Sequence, residues 1–280
     1  MKFNDTLVAI PSRNRVELLS KTLEDFRETW NDDIAVNFQG YTTSTIKRFD
    51  EVHCLQYIES PAINTAHAKM RLMQEYGCQY KYIIFIDDDS HCSLCKWETE
   101  FGNKDSNIMI NNMKRLIHIL HTNPRIGALA PYQSAFFRFI RDSAEKNGVN
   151  VSRSIRAANM IAVRTDLYTK HKCIWDDSLD IHEDFDFNLQ ILTKSPFEVC
   201  ETTLCKYSSR TKMGTGDGGI PKRTYKAKKQ ECIQKLKEKW ESTGLISVSS
   251  KGTILFKQKN LDRDRFEIFV DPKKVPSYAT

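Results

Sequence analysis

The segment Tyr82-Ile83-Ile84-Phe85-Ile86-Asp87-Asp88-Asp89-Ser90 passes from continuous apolar side chains into three consecutive carboxylates with no spacer. A short apolar run bounded by polar residues reads as a strand buried on both faces, and its carboxyl end in an open α/β sheet borders the ligand crevice. Three adjacent anions repel one another and are costly to desolvate, so at a buried strand end they need a cation, and hard divalent ions take oxygen ligands. The residues therefore predict a divalent metal holding a phosphorylated substrate. Asp87 and Asp89, spaced by two, can face that metal, with Asp88 turned toward the nucleotide or the neighbouring loop. The plainer alternative is a turn whose Asp side chains bond local backbone.

The rest of the N-terminal half alternates strand and helix patterns. Leu7-Val8-Ala9-Ile10 reads as a strand ended by the polar loop Pro11-Ser12-Arg13-Asn14-Arg15. Val16, Leu18, Leu19, Leu23 and Phe26 then share a helical face. Apolar stretches at Ile34-Ala35-Val36-Asn37-Phe38 and Val52-His53-Cys54-Leu55 read as further strands, and Ala66 to Tyr76 as a helix. After the acidic triplet come an amphipathic helix from Ile108 to His121, a strand Ile126 to Ala130 ended by Pro131, and a strand Asn159 to Val163. A short helix from about Thr165 to His171 follows. Such alternation predicts an α/β fold with a mainly parallel sheet flanked by helices, because parallel neighbours need crossover connections.

Beyond Val199 the composition changes. Glycines crowd Lys212 to Gly219, which reads as a mobile loop over 209–222. A basic subdomain over 223–280 would hold a lysine-rich helix (Arg223 to Ser242, with Ile233, Leu236 and Trp240 inward). A hairpin of Ile246–Val248 and Thr253–Phe256 and a strand from Phe266 to Val270 complete it. The catalytic unit would then be 1–208. Net charge is +6, yet Arg210 to Arg265 holds fifteen Lys or Arg against six Asp or Glu, so the remainder is net negative. Lys212, Lys222, Arg223, Lys226, Lys228 and Lys229 form a cationic patch suited to a diphosphate or a nucleic-acid backbone, unless it is simply a solvated face. No apolar run approaches the roughly 18 residues of a membrane span, and no signal-peptide core is present. A cytoplasmic protein with eight reduced cysteines is expected. His91-Cys92-Ser93-Leu94-Cys95 is half a zinc site with no second pair, and so reads as surface thiols.

A second acidic region runs from Trp175 to Asp186. Asp180 with Glu183 three residues on fits a capping box, and Asp184 in the first helical turn can face the crevice, where a carboxylate takes a proton from an attacking hydroxyl. The Gly214 to Gly219 run lacks a following Lys-Ser/Thr, so it is no Walker phosphate loop. It reads as a linker or as a lid.

The opening strand with Pro-Ser-Arg-Asn-Arg, the strand ending in Asp-Asp-Asp, and Trp175-Asp176-Asp177-Ser178-Leu179 followed by Glu183-Asp184 together resemble the GT-A glycosyltransferases of the family 2 type, over roughly Thr6 to Cys205. The resemblance implies a GT-A, Rossmann-like fold and a nucleotide-sugar donor, UDP-linked by expectation, with manganese or magnesium. It implies Pro11, Ser12, Arg13, Arg15 and Asp88 at the nucleotide, Asp87 and Asp89 at the metal, and Asp184 or Glu183 as base. Many members of that family use a late His as a further metal ligand. No His follows His182 here, which leaves the third protein ligand open. The glycine loop and the basic segment after it look like the bacteriophage glycosyltransferases that modify hydroxymethylated pyrimidines, such as 5-hydroxymethylcytosine, in DNA. That resemblance implies double-stranded DNA as acceptor, with Lys212 to Lys229 at its backbone. A polysaccharide or protein acceptor is the enzyme alternative, and a non-catalytic nucleic-acid-binding module on the same scaffold is the other.

Overall fold

In the computed structural model, the described residues are 5–27, 33–53, 55–93, 108–133, 149–209, 222–250 and 252–270. Its centre is two adjacent parallel strands, β1 (Thr6–Arg13) and β4 (Tyr82–Phe85), paired from Thr6↔Tyr82 to Ala9↔Phe85. Because side chains alternate along a strand, each strand supplies two cores. Val8, Ile10, Tyr82 and Ile84 face one cluster, and Leu7, Ala9, Ile83 and Phe85 face the other. Helices α1 (Val16–Arg27) and α4 (Ile108–Thr122) contribute to the first cluster through Leu19, Leu23, Met113, Leu116 and Leu120. Helices α3 (Thr65–Tyr76), α6 (Glu183–Lys194) and α7 (Lys222–Trp240) contribute to the second through Leu72, Met73, Phe187, Ile191, Leu236 and Trp240. A strand covered on both faces has no polar side, which is why the apolar runs here are continuous.

The remaining strands are β2 (Ile34–Gln39), β3 (Gln56–Ser60), β5 (Ser90–Ser93), β6 (Ile126–Gln133), β7 (Val149–Arg153), β8 (Ile161–Arg164), β9 (Glu198–Ser209), β10 (Ile246–Val248), β11 (Ile254–Phe256) and β12 (Glu267–Val270). Among the described residues they form a ten-stranded sheet in the order β12-β7-β9-β6-β8-β4-β1-β2-β3, with β5 paired to β9, and a separate β10-β11 hairpin. The β3-β2-β1-β4 half is parallel. Beyond it β8 runs antiparallel between β4 and β6, and the sheet is mixed. The helices α2 (Thr43–His53) and α5 (Asp166–Thr169) complete the set.

Several sequence expectations are corrected. β1 does not end at Ile10: Pro11, Ser12 and Arg13 stay in register with Asn37, Phe38 and Gln39, so the expected polar loop is largely strand. Val52 and His53 are not a strand but the end of α2, whose buried Ile46, Phe49 and His53 follow helical spacing. Cys54 and the glycine run 214–219, with Lys212, lie outside the described residues. Pro131 does not end β6. The strand runs on to Gln133, and the missing N–H is accommodated by a register shift between Pro131 and Tyr132. The C-terminal segment packs onto the main body: α7 buries Cys232, Ile233, Leu236 and Trp240, and β12 pairs with β7 as the last strand of the main sheet. No described helix is long and apolar enough to cross a membrane.

Candidate active site

The parallel register of β1 and β4 sets the residues after β1 beside the acidic triplet. Asn14, in the left-handed region (φ 49°), turns the chain into α1 and returns Arg15 over the carboxylates. The Arg15 guanidinium donates to Asp88 Oδ1 at 2.6 Å and to Asp89 Oδ2 at 3.1 Å. Ser12 Oγ donates to Asp88 Oδ2 at 2.7 Å, which leaves Tyr41 O–H to donate to Ser12 at 2.6 Å and the Arg15 backbone N–H to donate to Tyr41 at 2.9 Å. Thr22 Oγ1 donates to the Asp88 carbonyl at 2.7 Å. Burial raises the Asp88 pKa to about 6 against the opposing pull of Arg15 and Ser12, with Asp89 adding to the rise. Burial likewise pushes Tyr41 up to about 12. Pro11 is buried, and Arg13 is exposed, donating to the Ile63 carbonyl at 3.3 Å.

Asp87 faces a different neighbourhood. Its pKa is raised to about 8, first by burial. Lys69 pulls it down, while Asp89, Asp184 and Asp88 push it up. Lys69 comes from α3 and is 1% exposed. Its Nζ donates to Asp184 Oδ1 at 2.8 Å and lies 3.3 Å from Glu183 Oε1. Burial works against the Lys69 charge, but Asp184, Glu183 and Asp87 outweigh it and drive the pKa upward. Trp175 Nε1 donates to the same Asp184 oxygen at 3.4 Å, while the Trp175 ring stacks on Phe187 at 3.8 Å and meets Phe85 edge-on at 4.6 Å. The Glu183 carboxyl is raised above the usual range by burial and by Asp184.

The start of α6 differs from the capping box expected of Asp180 and Glu183. His182 occupies the N-cap position with φ 65° and no side-chain cap bond. Asp180 is drawn away, accepting from Asn64 Nδ2 at 3.2 Å and from Lys228. Burial, then Lys229, lowers the His182 pKa to about 4. The cationic patch is thus divided: Lys228 pairs with Asp180, whereas Arg223 and Lys226 are exposed. Farther along α7, outside the patch, Lys235 donates to the Ser178 carbonyl and Lys239 bridges Asp176 and Asp186. Lys222 opens α7. Asp186 is fully buried and accepts from Trp240 Nε1 at 2.7 Å, which gives it a structural role.

Sequence reading missed Lys69, Tyr41 and Trp175 as members of this site. Lys69 had a legible signal: it shares a helical stripe with buried Ala66, Met73 and Tyr76, and a lysine on an apolar stripe needs an anion.

No three His, Cys, Asp or Glu among the described residues are arranged to hold a metal ion by themselves. The donor chemistry nonetheless fits a hard divalent cation. Asp87 offers oxygen donors, and its pKa, raised by burial and by Asp89, Asp184 and Asp88 against Lys69, is one that such a cation would lower. A site with one or two carboxylates suits a metal whose remaining ligands are phosphate oxygens and water.

No protein-family model matches the chain, and no curated protein matches it. Among solved structures it is similar to the mannosyltransferase PcManGT from Pyrobaculum calidifontis in complex with GDP-Man and Mn2+, at 15% identity and TM-score 0.51 over 83% of this chain and 61% of that one. S. aureus TarS 1-349 is matched at 9% identity and TM-score 0.49, over 83% of this chain and 65% of that one. GalNAc-T7 with UDP, GalNAc and Mn2+ is matched at 10% and 0.49, over 73% and 43%. The chain therefore spans less than two thirds of the length of these structures. At such identities the likeness speaks to fold, and the fold is the α/β, GT-A-type one that the sequence led us to expect.

Two outcomes follow from the electrostatics. Replacing Lys69 with Met leaves Asp184 and Glu183 without their buried partner, and breaking a buried pair in this way costs about 3–5 kcal/mol. Urea denaturation should show a loss of that size, and a loss below about 1 kcal/mol would mean that water already screens the cluster. Asp87 and Asp88 hold their protons to higher pH in the fold than in the unfolded chain, so the stability they contribute is complete below the unfolded values near 4 and is lost as pH rises through about 6 and about 8. The melting temperature in the absence of divalent ions should fall between about pH 5 and 8, and Asp87→Asn should flatten that slope. A flat wild-type profile would contradict the assignment.

Proposed function

We propose that this chain is a glycosyltransferase that moves a sugar from a nucleotide-sugar donor, with a divalent metal, to a hydroxyl acceptor. The observation that carries the reading is the meeting, in a GT-A-type fold, of Asp87–Asp89 at the end of β4 with Glu183–Asp184 at the start of α6, joined by buried Lys69. PcManGT, of similar fold, is a mannosyltransferase in complex with GDP-Man and Mn2+, which supports a nucleotide sugar and a divalent ion as partners of this chain too.

In this reading Asp87 and Asp89 hold the metal, Mn2+ or Mg2+, on the donor diphosphate. When bound, that ion stabilises the negative charge developing on the leaving diphosphate. Arg15, held over Asp88 and Asp89, adds a fixed positive charge beside the same leaving group. Pro11, Ser12, Arg13 and Asp88 form the nucleotide side. Asp88 serves there by fixing Ser12 and Arg15, because its two side-chain oxygens are already engaged. Across the crevice, Asp184 is oriented by Lys69 and Trp175, and Glu183 beside it has its pKa raised toward neutrality, where a general base is most effective. The pair accepts the proton of the attacking hydroxyl.

The finer reading of the acceptor is a hydroxymethylated pyrimidine in double-stranded DNA. Its support is the exposed Arg223 and Lys226 at the start of α7, on the helix whose Lys228 reaches Asp180 in the loop before α6. A polysaccharide or protein acceptor is favoured instead by the use of Lys228, Lys235 and Lys239 on the protein's own oxygens.

Release of nucleoside diphosphate from UDP and GDP sugars with Mn2+ or Mg2+ tests the reaction. Turnover should require the metal and fall at least about a hundredfold in Asp89→Ala, the loss that follows removal of one charge-stabilising group. Wild-type activity in that variant removes the metal assignment, and no release with any donor leaves a binding module. Stimulation by DNA containing 5-hydroxymethylcytosine, and not by unmodified DNA, identifies the acceptor. Replacing Arg223 and Lys226 with Ala should then reduce the slope of log affinity against log salt by roughly 0.9 per lost phosphate contact. An unchanged slope turns the search to glycans and proteins.

A further inference from the structure

The structural role of Asp186 reaches beyond the packing of α6. Asp184 and Asp186 lie two residues apart on that helix, about 200° around its axis, so they face different neighbours. Asp184 meets Lys69 and Trp175 Nε1. Asp186 is 0% exposed, so no substrate reaches it, and it can act on the reaction only through what it holds.

What it holds is the segment that carries Trp175. Asp186 Oδ1 accepts from Trp240 Nε1 at 2.7 Å, and Oδ2 accepts from Gln190 Nε2 at 2.7 Å and from Lys239 Nζ at 2.9 Å. Both partners of Oδ2 continue to the chain on either side of Trp175. Gln190 Nε2 also donates to the Ile174 carbonyl at 2.8 Å, and its Oε1 accepts from the Ile174 N–H at 3.3 Å. Lys239 Nζ also donates to Asp176 Oδ2 at 2.9 Å. Burial works to raise the Asp176 pKa, but bonds from Lys239 and Ser178 outweigh it, and the carboxyl is held below its ordinary value. Ile174 and Asp176 are thus each tied to a group that Asp186 fixes. Trp175 between them is fully buried, stacked on Phe187, and presents Nε1 to the Asp184 oxygen that also accepts from Lys69. A hydrogen-bonded network of this kind holds its members as a unit, so loosening one end is felt at the other.

We propose that Asp186 is a positioning residue for Asp184, acting with Lys239 and Gln190 through Trp175, so that α7 is part of the catalytic assembly and not only a cationic surface. The proposal rests on the reading of Asp184 and Glu183 as the base of a transferase.

The test uses the full chain and a variant at Lys239, whose side chain is 39% exposed and whose loss leaves Asp186 its bonds to Trp240 and Gln190. Lys239→Met should lower kcat for nucleoside diphosphate release about tenfold, since misplacement of a reacting group by about an ångström can cost up to a hundredfold, and should leave the donor KM within about twofold. Lys239→Arg, which keeps a cation between the two carboxylates, should restore kcat to within about threefold of wild type. Lys235→Met is the control, because Lys235 lies on the same helix and bonds the Ser178 carbonyl but not Asp186, and it should leave kcat within about twofold. In a Trp175→Phe background, Lys239→Met should cost less than about a further twofold, as expected when both changes break one chain of contacts. Indole hydrogen exchange gives a readout that needs no turnover. The Trp175 Nε1–H, assigned by its absence in Trp175→Phe, should exchange about tenfold faster in Lys239→Met while the amides of β1 keep their rates. Unchanged Trp175 exchange, losses that multiply in the double variant, or a Lys235→Met defect equal to that of Lys239→Met, each in an active enzyme, overturn this proposal alone. A wild-type protein that releases no diphosphate from any donor overturns the transferase reading and this proposal with it.

Discussion

The site depends on one buried ammonium. Lys69 is 1% exposed, a position a lysine holds only when anions compensate its desolvation, and Asp184, Glu183 and Asp87 supply that compensation. The dependence runs both ways. Without Lys69, the end of β4 and the start of α6 would bring carboxylates together with nothing between them. One charge thus ties three segments distant in the sequence: α3, the acidic triplet and the helix beginning at Glu183. Aromatic packing sets its height, because Trp175 lies with its ring centroid 5.9 Å from Lys69 Nζ and is itself clamped by Phe187 and Phe85.

The sheet explains why the other half of the site assembles. The Ile86 N–H bonds the Ala9 carbonyl, extending the β1–β4 pairing just beyond the last ladder pair. Beyond that point β1 continues along β2 to Arg13, while the chain after β4 leaves the β1 edge in the turn closed by Ser90 N–H on the Asp87 carbonyl. Ser12 therefore comes level with Asp88, and Arg15, one turn later, reaches both Asp88 and Asp89. Parallel pairing is what makes this work, since it puts the carboxyl ends of both strands at the same edge of the sheet.

Much of this was legible in the residues. Tyr82 to Asp89 announced a buried strand ending in anions because an unbroken apolar run has few other uses, and the inward stripe of α4 (Met109, Met113, Leu116, Ile117, Leu120) followed from spacing alone. The illegible parts share a cause: long-range partners overrode local preference. Pro11-Ser12-Arg13 has turn chemistry, yet β2 holds it extended. Asp180 has cap chemistry, yet Asn64 and Lys228 recruit it from other elements. The α2 segment Thr43–His53 is polar enough to resemble a loop, and its helix is carried by three buried side chains. β9 was missed because Glu201, Thr202 and Thr203, buried where Arg153 and Asn150 pack, break the apolar pattern of a central strand.

The three carboxylates of the triplet are not equivalent, and their environments assign different work to each. Asp88 has each side-chain oxygen engaged, one by Ser12 and one by Arg15, and its carbonyl by Thr22, so its role is to hold the loop after β1. Asp89 shares Arg15 with it, at 3.1 Å from the other guanidinium nitrogen. Asp87 lies on the Lys69 side, where burial first, and then its neighbours Asp89, Asp184 and Asp88 against the pull of Lys69, hold its pKa near 8. A cation of higher charge than lysine is the species that such a group would bind with release of its proton, and binding should then grow stronger as pH rises. The same arithmetic that makes the triplet costly to fold would make it receptive to a divalent ion: burial and the neighbouring carboxylates raise Asp87, and Lys69 offsets them only in part.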